Sequence, residues 1–126
     1  MDRAIYIQTT WSAQDVALLK AEFALYNHRA IARFACDCAE RACQRSTADK
    51  RAYAAILAGR GWADGITSVD EARSAAFAAH EAARAAIIPT TQYACRSAGH
   101  AAATAHVITH AVHAADFAAK AAPNCW

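Results

Sequence analysis

Four histidines, His100, His106, His110 and His113, fall within a short run built mostly of alanine. Imidazole titrates nearest neutrality of all side chains and is also the commonest protein ligand of transition metals. On a continuous helix His106, His110 and His113 would lie within roughly 60° of arc, with His100 about 120° away. Three imidazoles at i, i+4 and i+7 could bind zinc, copper or nickel. The alternative is a set of packed histidines that donate to backbone or carboxylate groups. No glutamate follows His106 as a helical zinc-protease motif requires, and no cysteine pair completes a structural site. The expectation is therefore no metal and no cofactor, with His106, His110 and His113 as the metal-binding alternative.

A second polar set lies upstream. Arg73, His80 and Arg84 stand at i, i+7 and i+11 and so share one helix face. They could pair with Asp37, Glu40 or Asp116 across a bundle, or hold an anion. Asp37, Glu40, Arg41 and Arg45 are spaced for pairs along one helix. Asp37 could also orient a histidine by accepting its N–H. A hydrolytic arrangement would need a nucleophile, and the serines and threonines sit mostly at caps or helix interiors. The expectation is a protein that is not an enzyme. Trp62, in a glycine-rich stretch, is either a packing residue or an exposed partner contact.

The elements that position these residues are helices. About thirty per cent of the 126 residues are alanine, and only two prolines and four glycines interrupt them. Alanine is the strongest helix former, so the fold class is all-α, a compact alanine-rich bundle of five or six helices. The length suits a single helical domain over residues 1–126. Ser12 with Asp15 marks a first helix start. Asn27 could cap a second helix over 28–45, unless the two are one bent helix. Ser46–Asp49 opens a third helix to about Ala58, and Gly59, Gly61 and Gly65 break the chain around Trp62. Ser68–Glu71 is a capping box for a fourth helix to about Ile87. Pro89 opens a last segment of about 30 residues, in which β-branched Val107-Ile108-Thr109 is a weak point. Gly99 inside it suggests a close helix contact.

Composition excludes several function classes. The formal net charge is only +2, with both signs interspersed, which argues against a nucleic-acid partner. No uninterrupted apolar run is long enough to span a bilayer, and residues 1–7 lack the core of a signal peptide. A cytoplasmic protein with no membrane partner is expected. Five cysteines are an odd number, and Cys36 and Cys38 diverge on a helix, so they read as small core residues. Cys125, near the C-terminus, could form an intermolecular disulfide in air. Few large aliphatics are available to fill a core, so a homodimer is a further expectation.

An ordered set of motifs resembles one bacterial family. Phe34-Ala-Cys-Asp-Cys-Ala-Glu-Arg41 comes first, then Asp49-Lys-Arg51, Ala55-Ile56 and Gly61-Trp62. Gly65-Ile-Thr-Ser-Val-Asp-Glu-Ala-Arg73 and Ala79-His-Glu-Ala-Ala-Arg84 follow. Ala98-Gly-His-Ala-Ala-Ala-Thr-Ala-His-Val107, His110-Ala111 and Ala114-Ala-Asp-Phe-Ala-Ala-Lys120 complete the set. Over about residues 34–121 the chain is similar to the immunity-protein family with an Imm-5-like domain. The resemblance implies an all-α protein of bacterial polymorphic-toxin systems that neutralises a cognate toxin or effector enzyme by binding it. The family's recurring polar positions correspond to Asp37, Glu40, Arg41, Trp62, Arg73, His80, Arg84, His100, Thr104, His106 and His110; His113 falls outside the pattern. Of these, Asp37, Arg73, His80, Arg84, His100, Thr104, His106 and His110 are the expected polar network or ligand site. Glu40, Arg41 and Trp62 are the expected partner-facing residues. The alternatives are a small metal- or ligand-binding helical domain and an anti-CRISPR-like inhibitor of a host nuclease carried by a mobile element.

Overall fold

The computed structural model describes residues 12–121. Trp11 and Cys125 lie outside them. Five helices occur in this span: α1 (Ala13–Gln44), α2 (Lys50–Ala63), α3 (Val69–Ala85), α4 (Pro89–Ala103) and α5 (His110–Ala121).

Local chemistry sets the helix starts. Ser12 and Asp15 form a full capping box, Asp15 N–H donating to Ser12 Oγ and Ser12 N–H to Asp15 Oδ2. Asp49 caps α2 by accepting from the Arg51 N–H. At α3 only half of the expected box forms: Ser68 Oγ accepts from the Glu71 N–H at 3.1 Å. Pro89 opens α4 in the first turn, where no intrahelical bond needs its missing N–H.

Two alternatives left open by the sequence are decided and one expected boundary is corrected. Asn27 starts no helix, because α1 runs unbroken from Ala13 to Gln44. Gly59 and Gly61 break nothing, and α2 continues through Trp62 to Ala63. The break comes at Gly65, whose φ of 77° is one that side-chain-bearing residues rarely adopt. The last segment is two helices, parted by turns over 104–109 that include Val107-Ile108-Thr109.

Helix α4 is the axis of the bundle and packs against all four others. Around it α5 neighbours α1, α1 neighbours α2, and α2 neighbours α3. Helices α3 and α5 do not meet, so the ring is open on that side and a cleft lies over α4. Apart from Ile56 and Trp62, every buried apolar residue described is alanine or cysteine. With such small side chains the helix axes approach closely, and glycine marks the tightest points. A Cβ on Gly59 would stand 2.7 Å from Cys36 Sγ and 3.4 Å from the α4 backbone at Ala101 and Ala102, where α1, α2 and α4 converge. The four described cysteines, Cys36, Cys38, Cys43 and Cys95, are buried free thiols.

Helix α1 divides into two halves. Ala32, Ala35, Cys36, Ala39, Ala42 and Cys43 form a buried stripe at helical spacing. Every residue from 12 to 27 is exposed.

Candidate functional site

The cleft between α3 and α5 gathers half of the expected polar set. Arg73, Ala76, Phe77 and His80 of α3 form one wall, and Ala103, His106 and His110 form the other. The cavity measures about 150 Å³. His80 reaches α4 because Gly99 has no side chain: a Cβ there would lie 2.7 Å from the His80 ring. The glycine flagged in the sequence is thus the seat of an imidazole.

Behind this wall the imidazoles stack. His80 and His100 meet edge-on with ring centroids 4.9 Å apart. His100 lies 5.1 Å from both His110 and His113, and is nearly parallel to Phe117 at 5.5 Å. His100 Nδ1 and His110 Nδ1 are 2.9 Å apart and share one proton. Arg96 approaches His80 Nδ1 at 3.2 Å. A guanidinium only donates, so this Nδ1 accepts and the neutral ring carries its proton on Nε2.

Burial is the main force on these rings. It holds His80 down to about 4, helped by Arg96, Arg84 and His110. His100 is likewise held down to about 4 by burial first, then by His80, His110, His113 and Arg96. His110 is lowered by burial and by His113 and His106. Each of these influences disfavours the imidazolium, and no carboxylate contributes.

The break after α4 changes which histidines meet. His106 sits in the turns at 104–109 and not on α5, so the single-face triad of His106, His110 and His113 does not form. Among the described residues no group of three histidine, cysteine or acidic side chains is placed to hold a metal ion. His100, predicted to stand apart, instead contacts both His110 and His113, because the chain reverses between α4 and α5.

Other expected members lie elsewhere. Thr104 is fully buried, with Oγ1 donating to the His100 carbonyl, and its own carbonyl accepts from His28 Nε2. Asp37 and Glu40 do not reach the histidines or Arg73 and Arg84. Both bind Arg60 of α2, Asp37 at 2.8 Å, forming a clasp between α1 and α2. Arg73 and Arg84 have no ion pair among the described residues. Arg41 is exposed. Trp62 is only 8 % exposed, covered by the His28 ring at 4.6 Å and by the Arg29 guanidinium. Packing, the alternative weighed for it, describes its place.

Arg60, Arg96 and His28 are the site residues that sequence reasoning missed. Arg96 had a signal, since it precedes His100 by four and shares its helix face. Arg60 and His28 meet partners 20 to 76 positions away, and nothing local reports that.

The nucleophile inventory is thin. Ser97 Oγ is buried and donates to the Ala114 carbonyl at 2.7 Å. Burial pushes the Cys36 and Cys43 thiols up to about 12, which leaves them unreactive near neutrality.

No curated protein and no solved structure matches this chain. The family model described as Imm-5 like putative immunity protein matches residues 21–124, beyond both ends of the motif set. Spanning most of the sequence, that match means that the chain belongs to the Imm-5-like immunity-protein family.

Proposed function

We propose that this protein neutralises a cognate toxin in the cytoplasm of the producing cell by forming a stoichiometric complex with it, without turnover. Family membership supports the class of function. The observation that carries the binding mode is the first half of α1. Val16, Leu19, Phe23 and Tyr26 follow one another at spacings of three, four and three, which aligns them on one face. All four are exposed, Phe23 at 59 % and Tyr26 at 66 %. A contiguous apolar stripe left in water on a protein of this size is characteristic of an interaction surface. Aromatic residues at its centre suit the role of anchors.

The surface lies at one end of the bundle, with Tyr26 lining a groove beside Ala63 and Asp64 of the α2 end. Nothing in the packed half of α1 depends on these side chains, so the interface can vary without disturbing the core. The clasp of Asp37, Glu40 and Arg60 holds α1 to α2 and thereby fixes the direction in which the stripe projects. A second copy of the chain would cover the same stripe, and native mass separates that outcome from toxin binding.

The test uses the toxin encoded beside the protein's gene. The Leu19→Lys, Phe23→Lys double variant is expected to lose toxin binding by about a hundredfold or more, as removal of an aromatic anchor does. Its melting temperature should stay near that of the wild type, since substitutions at exposed positions cost about 0.5 kcal/mol or less. Isothermal titration and protection of growth in toxin-producing cells read the two effects. Undiminished binding by this variant rules out α1 as the docking surface. A wild-type protein that fails to bind the adjacent toxin rules out the function.

A further inference from the structure

We propose that the cleft between α3 and α5 is a binding site for a small oxyanion, a phosphate or carboxylate group. The observation is a segregation of charge. On the α1–α2 side three arginines are paired with acids: Arg33 with Asp64, Arg51 with Asp49, and Arg60 with Asp37 and Glu40. On the α3–α5 side the acids Asp70 and Glu71, exposed in the first turn of α3, do not pair with the basic groups. Arg73, His80 and Arg84 come from α3, Arg96 and His100 from α4, His106 from the turns, and His110 and His113 from α5. None of them makes an ion pair among the described residues. Glu81, an acid of α3, acts on Arg51 on the opposite flank. Asp116 of α5 is exposed.

Guanidiniums without a paired acid, set beside imidazoles that resist ionisation, leave this face short of a counter-charge. A bound anion supplies the missing sign. The donors are in place: Arg73 lines the cavity, and the His80 Nε2–H has no partner among the described residues. The His100–His110 pair shares one proton between its Nδ1 atoms, so when both rings are neutral one Nε2 is protonated and the other is a free lone pair. One added proton turns both Nε2 atoms into donors. Of that pair His110 lines the cavity, where an oxyanion with several acceptor lone pairs would meet Arg73, His80, His106 and His110. The volume sets the size: about 150 Å³ is below the ~300–1,000 Å³ of pockets for drug-sized ligands, and accommodates a phosphate or a short carboxylate. Phe77 and Ala103 provide the apolar wall on which a short substituent would rest.

Binding an anion here also binds a proton. Burial disfavours the imidazolium of His80, His100 and His110 in the free protein, and the anion makes it favourable again. Affinity therefore rises as pH falls from about 6.5 toward about 4, between the ordinary imidazole value and that of the buried rings. This site is independent of the toxin-binding stripe on α1 and is tested on the protein alone.

The experiment follows the imidazole resonances of the full chain by nuclear magnetic resonance during titration with inorganic phosphate and, separately, acetate. Sodium chloride at matched ionic strength is the control. The expected result is a saturable shift confined to His80, His100, His106 and His110, tighter at the lower pH. Saturation by phosphate alone assigns a phosphoryl ligand, and saturation by acetate assigns a carboxylate. The Arg73→Ala variant removes an exposed side chain and should fold normally. Losing one charge-assisted hydrogen bond weakens binding about tenfold or more. The proposal is overturned if the shifts fail to saturate, if chloride reproduces them, or if Arg73→Ala binds as the wild type does.

Discussion

At the scale of single residues, the histidines of the cleft couple stability to pH. Burial and neighbouring cations keep His80 and His100 at about 4 in the folded chain, against about 6.5 for a free imidazole. The unfolded chain therefore takes up protons first as the solution is acidified. The stability these two rings contribute is fully present above about pH 6.5 and is lost progressively as pH falls to about 4. A completely shielded imidazole gives a slope of about 1.4 kcal/mol per pH unit. These rings are only half-buried, and solvent screening reduces the effect, so the two together should give about the slope of one. Chemical denaturation between about pH 7 and about pH 4.5 checks this, and His80→Phe should flatten the curve. A stability independent of pH over that range would mean that the rings ionise freely in the folded state.

At the scale of elements, α3 and α4 meet where His80 rests on Gly99. Gly99→Ala is expected to destabilise the protein by about 1 kcal/mol. Overpacking costs about 1–3 kcal/mol, and the higher helix propensity of alanine recovers about 1 kcal/mol of it. Combined with His80→Ala the sign should reverse, because the clash is gone and only the propensity gain remains. A double-mutant cycle measured by denaturant unfolding reads that coupling; additive effects would place His80 elsewhere. The elements themselves were partly legible. The caps at Ser12, Asp49 and Ser68 and the start at Pro89 follow from short-range hydrogen bonding, which a local sequence carries in full. The β-branched run at Val107 marked the break between α4 and α5 through another local property, the stiffness of its side chains at χ1. Gly59 and Gly61 misled, since a glycine within a helix marks either a break or a contact, and only the packing partner decides which. At Gly59 that partner is Cys36.

At the scale of the whole molecule, the core is a lattice of alanine and cysteine with almost no void-filling aliphatics. Close backbone approach replaces bulk, and such a core has little slack. Ala39→Leu, at a fully buried position of α1, is expected to cost about 3 kcal/mol or more, the upper end for overpacking. In a core of large aliphatics neighbouring rotamers could adjust, but here the neighbours are methyl groups and backbone. Calorimetry of the variant checks it, and a fall in melting temperature of less than about 4 °C, roughly 1 kcal/mol in a domain of this size, would show a looser core. The sequence by itself determined the all-α class, the helix starts at Ser12, Ser68 and Pro89, the alanine-rich core and the family, because propensity, capping and motif order are local or linear properties. It also singled out most of the side chains that line the cleft. Only the tertiary structure decided how they are grouped. Reversal of the chain at 104–109 set His100 against His110 and His113 and removed His106 from their helix. Arg60, across the α1–α2 interface, claimed Asp37 and Glu40 and left Arg73 and Arg84 without an acid. Those partners are distant in sequence, and pairing between distant residues depends on how helices pack.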